Sequence, residues 1–180
     1  MTIPSQHIFD RIIADQSRNP LIENNLRGIF AEYLVADILG EGWKVCDGTY
    51  ADYDLLGPKG EKLEIKSSAF IQSWWQMSVQ EGASPISKPQ FSIKERLGKC
   101  GNRRRAADVY VFALHESKDT DIADHRRVQQ WGFYVCPTAK LPLGQKTITL
   151  GPLTRLASYG NADTLSVLVQ TALKDSKVGT

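Results

Sequence analysis

Tyr53-Asp54-Leu55-Leu56-Gly57-Pro58-Lys59-Gly60-Glu61-Lys62-Leu63-Glu64-Ile65-Lys66-Ser67 is the stretch on which the fold turns. Two short apolar runs flank a Gly/Pro turn, which reads as a β-hairpin. Side chains alternate faces along a strand, so Glu64 and Lys66 share one face and Leu63 and Ile65 the other. Asp54 belongs to the partner strand. A loop of effectively five residues, or a bulge, puts Asp54 across from Glu64, about 5 Å away at Cβ. A strict four-residue loop puts the two acids on opposite faces, because a one-residue slip flips every side chain. The five-residue or bulged loop is the expectation.

Two carboxylates this close repel unless a cation sits between them. Oxygen-only ligands suit a hard ion such as magnesium. A lysine beside them can hold a phosphate or a water nucleophile as a point charge. Together they are the equipment of metal-assisted phosphodiester hydrolysis.

Asp54 followed by Glu64-Ile65-Lys66 on the next strand resembles the core motif of the PD-(D/E)xK nucleases, the restriction-endonuclease-like superfamily. The motif spans about residues 53 to 67, and Tyr53 stands where the name-giving proline would be. Many members carry a further acid on the helix before the hairpin, and Glu32 matches it. Arg27-Gly28 with Ala31-Glu32 also looks like the opening of that helix in several members. The resemblance implies that Asp54 and Glu64 bind magnesium, or manganese in its place, with help from the Ile65 carbonyl. It implies that Lys66 orients or activates water and stabilises phosphate charge. Glu32 would complete the site or hold a second ion. The implied partner is DNA, with RNA left open. Many nucleases of this fold act as symmetric homodimers, which the sequence does not decide.

Acid-x-Lys alone is weak evidence, since it recurs at Glu116-Ser117-Lys118 and Asp175-Ser176-Lys177. The first reads as a solvated loop and the second as a polar tail. Only Glu64 sits in an alternating strand with an acid on a neighbouring strand and a helix before it. The plainer alternative for the hairpin is an exposed face carrying a Glu–Lys pair. For Glu32 it is pairing with Arg27 or another basic residue, or access to solvent, because a buried Glu needs a cation or hydrogen bonds. Asp52 is a spare ligand candidate and equally a turn residue.

The 180 residues suit one domain able to bury a core. A net charge of +2 does not announce nucleic acid. Met1 to Asn19 lacks the apolar core of a signal peptide, and no run approaches the length of a membrane span. Cys46, Cys100 and Cys136 form no CxxC, so they read as reduced thiols in a cytoplasmic protein. The histidines, His7, His115 and His125, are scattered.

Ile8, Ile12 and Ile13 predict a first helix over about Gln6 to Gln16, ended by Asn19-Pro20. A second, over about Leu26 to Leu39, takes Asn24 or Asn25 as its cap and closes at Gly40 and Gly42. From Ile29 to Leu39 it is apolar nearly all round, which predicts extensive burial. Gly28 and Ala36, one turn from Glu32, predict close approach of another element. Strands follow over Trp43 to Cys46, Tyr50 to Leu56 and Glu61 to Phe70. Gln72, Ser73 and Trp74 could line a groove, although burial is the expected role of Trp74 and Trp75. Phe91-Ser92-Ile93 reads as a short strand or a helix start.

Lys94 to Arg105 holds six basic residues against one acid. Lys94, Lys99, Arg103, Arg104 and Arg105 are therefore candidates for phosphate contact, the alternative being a solvated face. Arg126 and Arg127 could add to them. Asp108 to Leu114 reads as a buried central strand. Gln129 to Cys136 is another strand, Lys146 to Leu150 a short one, and Ala162 to Lys174 a last helix capped by Asn161, with a frayed tail. The expected fold is a three-layer α/β/α domain, restriction-endonuclease-like, with a mixed central sheet. The expected function is a magnesium-dependent endonuclease acting on DNA. The alternatives are a nuclease-fold protein that binds nucleic acid without turnover, and an interaction domain whose hairpin acids are merely solvated.

Overall fold

In the computed structural model, which describes residues 5–16, 18–46, 52–74, 84–97 and 103–178, the quoted stretch is an antiparallel pair. Strand β2 (Leu55–Leu56) registers on β3 (Lys62–Ala69) as Leu55 to Leu63 and Leu56 to Lys62. Gly57 to Glu61 form the five-residue connection, closed by the Gly57 N–H donating to the Glu61 carbonyl at 2.7 Å. One step further the same register sets Asp54 opposite Glu64. Strand β1 (Lys44–Val45) pairs antiparallel with β2 on its other edge.

Strands β7 (Val109–His115), β8 (Trp131–Pro137) and β10 (Ser158–Gly160) complete a sheet of order β1-β2-β3-β7-β8-β10. The β3–β7 pair is parallel and the other neighbours are antiparallel, so the sheet is mixed. Residues of β7 are buried on both faces, as its continuous apolar run predicts. Alternation then divides the core in two. Val109, Val111 and Ala113 face helices α2 (Asn24–Leu39) and α4 (Ala162–Val178), with Leu63, Ile65, Trp131, Phe133 and Val135. Tyr110, Phe112 and Leu114 face the other way. There they meet the ribbon of β4 (Gln90–Ser92) and β9 (Thr147–Thr149) and the short helix α3 (Leu150–Leu156). Full burial of side chains of this size contributes about 1.5–3 kcal/mol each. The three-layer expectation holds, with a ribbon and one short helix forming the third layer.

Several local expectations need correction. Helix α1 (Ser5–Gln16) forms, yet its stripe of Ile8, Ile12 and Ile13 is exposed. The α2 cap is Glu23, whose carboxylate accepts the Asn25 N–H at 2.9 Å, rather than Asn24 or Asn25. Only one side of α2 is buried, at Arg27, Ala31, Val35 and Ala36, because one sheet face and α4 cannot surround it. Ile29 and Tyr33 point outward, and a side chain at Gly28 would meet open space, so no element approaches there. The short strand expected over Lys146 to Leu150 forms as β9, three residues long and paired in the ribbon. Helix α4 is capped as expected: Asn161 Oδ1 accepts the Thr164 N–H, and Thr164 Oγ1 accepts the Asn161 N–H. It continues to Val178, past the expected fraying point.

Candidate active site

Strand β3 presents Glu64 and Lys66 on one face, and the hairpin register brings Asp54 to them. The Lys66 Nζ lies 2.6 Å from Glu64 Oε1 and 3.6 Å from Asp54 Oδ2. Glu64 is buried, and the other two side chains are only partly open to solvent. Past Leu55 the chain leaves the regular ladder. The Asp54 carboxylate takes over as acceptor for the Ile65 N–H at 2.7 Å. The Asp54 N–H donates to the Leu63 carbonyl, and the Asp54 carbonyl accepts the Cys46 N–H. Asp54 is thus fixed from both neighbouring strands, and its carboxylate is held beside Lys66.

Glu32, on α2, lies near enough to feel the charges of the same group. Half-buried on the helix, it has its carboxyl pushed up to about 7, first by burial and then by the charge of Asp54 and Glu64. Lys66 pulls the other way, and less strongly than burial and Asp54 push. Three acids therefore act on one region with one ammonium among them, an excess of negative charge that a further cation would relieve. The oxygen-only donor set fits a hard divalent ion. Among the described residues no three such groups already stand within reach of one ion. The Lys66 ammonium holds the position between Asp54 and Glu64 that a metal would contest.

The remaining candidates scatter. Asp52 is exposed in the bend before β2. Lys94 and Arg104 are exposed, the latter on the ribbon of β5 (Arg96–Leu97) and β6 (Arg103–Arg104). The side chain of Arg103 and all of Lys99 lie outside the described residues, as do Trp75 and Cys100. The Arg105 guanidinium is spent on three main-chain carbonyls, those of Ile93, Leu141 and Pro142. Arg126 grips Asp124 through two bonds of 2.8 Å, holding its carboxyl down at about 2, and Arg127 lies 3.7 Å from the same acid. Trp74 is 49% exposed, contrary to the expected burial. Arg27 pairs with Asn24 and Gln72, so it is not the partner of Glu32. Cys46 and Cys136 are free thiols.

Two groupings escaped the sequence reading. His115 and His125 stack edge to face at 4.6 Å in the interior. Arg27 and Gln72 meet across 45 positions of chain. Neither pair has a spacing signal, because fold topology alone brings its members together.

No helix among the described residues is long and apolar enough to cross a membrane. No curated protein matches the chain in sequence. Among solved structures, a bacterial homing endonuclease, I-Ssp6803I, is similar at 16% identity and a TM-score of 0.41, over 83% of this chain and 95% of that one. The sequence model for bacteriophage T4 endonuclease IV matches residues 6–128, a span that includes Glu32, Asp54, Glu64 and Lys66. With well over half its length matched, the chain belongs to the bacteriophage T4 endonuclease IV family.

Proposed function

We propose that this chain is a magnesium-dependent endonuclease that hydrolyses DNA phosphodiester bonds with a PD-(D/E)xK type of site on its hairpin. The observation that carries the reading is that Lys66 Nζ lies within 3.6 Å of both Asp54 and Glu64, in a chain of an endonuclease family. Asp54, Glu64 and the Ile65 carbonyl would hold the ion, with Glu32 completing the set. A bound ion supplies Lewis acidity to a phosphate oxygen and lowers the pKa of a water. Lys66 can donate to a non-bridging phosphate oxygen and to the attacking water, fixing both as a point charge. The buried setting of Glu64 strengthens each of these contacts by excluding water.

A second reading, binding without turnover, has one observation in its favour. The Lys66 ammonium already neutralises Glu64 at 2.6 Å, which lowers the gain from admitting a metal. The test is cleavage of a panel of plasmid, branched and single-stranded DNA in magnesium or manganese, with Lys66→Ala and Glu64→Ala beside the wild type. Cutting by the wild type, reduced at least about 100-fold in each variant, is the expected result. DNA binding with no cutting by any of the proteins would favour the second reading.

A further inference from the structure

Arg27 lies on the sheet-facing side of α2 and is only 4% exposed. Its Nη1 donates to Asn24 Oδ1 and to Gln72 Oε1, each at 2.9 Å. Both acceptors are neutral amides, which orient the guanidinium and leave its charge intact. The Glu23 carboxylate one turn away acts on it through space, but among the described residues none forms an ion pair with it, and its buried Nε has no hydrogen-bond partner. Burying a guanidinium with no ion-pair partner in contact is costly. The arrangement is nonetheless built with care. Gln72 Nε2 donates to the Ala69 carbonyl at 2.7 Å and to Ser87 Oγ at 3.3 Å, which turns Oε1 toward Arg27.

The guanidinium borders a cavity of ≈ 280 Å³ whose wall includes Ser68, Gln72, Trp74 and Lys88. That size is just below the range of pockets that hold whole small-molecule ligands, and suits a single group. Ser68 follows Lys66 by two positions on β3, so it stands on the same face about 6.6 Å further along the strand. Ser67 also lines the cavity, which therefore adjoins the Lys66 group along the strand. Lys88 is exposed at the rim, and Trp74 offers a flat aromatic face.

We propose that this cavity is a phosphate subsite. Arg27 and Lys88 would hold the backbone phosphodiester one step along from the group at Lys66, and Trp74 would carry the neighbouring base or sugar. The assignment rests on the nuclease reading of the hairpin and adds to it the register in which the strand lies. A bound anion would add a contacting counter-charge to the through-space one of Glu23, and a guanidinium matches phosphate oxygens two at a time. Stacking on an aromatic tolerates any base, so the subsite would position without reading sequence.

Two readouts test it, and neither needs cutting. Inorganic phosphate, titrated against sodium chloride at matched ionic strength, should raise the melting temperature of the wild type and not that of Arg27→Gln. Binding of a short fluorescent DNA in EDTA should lose about one unit of log–log salt slope in Arg27→Gln, and about one in Lys88→Gln. Lys88 is exposed, so Lys88→Gln folds and decides the question if Arg27→Gln does not. The subsite is overturned by a wild type that phosphate does not stabilise, by a rise that survives Arg27→Gln, or by a slope that Lys88→Gln leaves unchanged. Arg27 would then be a tie between α2 and the segment after β3. A protein that passes both readouts but leaves DNA uncut in magnesium fails the nuclease reading alone. One that cuts and fails both readouts loses the subsite alone.

Discussion

Glu32 concentrates the charge problem of the site. Its carboxyl, raised from an ordinary value of 4.5 to about 7, binds its proton more tightly folded than unfolded. That contribution to stability is complete below the unfolded value and is lost as pH rises through about 7. Above it, ionised Glu32 opposes the fold, because burial, Asp54 and Glu64 all disfavour its charge. Glu32→Gln in EDTA should therefore melt a few degrees above the wild type near about pH 8, with the gain vanishing near about pH 5. Equal melting at both pH values would show that Glu32 does not sense the hairpin acids. Lys66 is the counterweight: removing it leaves Glu64 buried without its ammonium, the kind of break that costs about 3–5 kcal/mol in fully buried pairs and less here, where Lys66 is partly exposed.

The hairpin works as an element because its turn fixes the register. Gly57 permits the turn to close: a Cβ there would lie 2.6 Å from Glu61 Oε2 and 2.9 Å from the Trp43 ring. The same Glu61 oxygen accepts the Lys59 N–H at 2.8 Å, so it is not free to swing aside. Gly57→Ala should cost about 1–3 kcal/mol as overpacking. Thermal melting would read this as a loss of about 2–4 °C for each kcal/mol in a chain of this size. An unchanged melting temperature would mean that the turn yields. The hairpin, β7 and the capped start of α4 were legible in the sequence because each is written locally, in turn residues, a continuous apolar run, or Asn161 with Thr164. Helix α3 was not: the sequence offered only a short strand ending at Leu150, and Gly151 and Pro152 carry no helix signal, although proline is tolerated in a first helical turn. Strand β10 was not legible either. It has three residues, and what anchors it is Tyr159 reaching Glu116 from 43 positions away. At the site, Asp54, Glu64, Lys66 and Glu32 could be named from pattern and order. The Arg27–Gln72 contact could not, because it exists only once α2 lies over the end of β3.

At the scale of the molecule, acid should act through the buried histidine pair. His115 Nε2 and His125 Nε2 donate to the carbonyls of Asp124 and Ile71. Burial lowers both imidazoles, and His115 and Arg27 add to the effect at His125, which is held down to about 4. Between its ordinary 6.5 and about 4, the unfolded chain takes up a proton that the fold refuses, so stability falls as pH falls. One group fully in its window contributes about 1.4 kcal/mol per pH unit. Glu32 acts in the opposite sense over part of this range, so the informative quantity is a difference. Between about pH 7 and pH 5 the wild type should lose melting temperature more steeply than His125→Gln, and equal slopes would remove the pair from the acid response. The claim on which the function rests is that the hairpin acids and Glu32 form one cation site. The most direct measurement is the melting temperature against magnesium concentration for the wild type and Glu64→Ala near neutral pH. If the site binds, the wild type gains about 2.7 kcal/mol at a hundredfold excess over Kd, a rise of several degrees that Glu64→Ala lacks. A wild type indifferent to magnesium, or a rise that persists in Glu64→Ala, would contradict it.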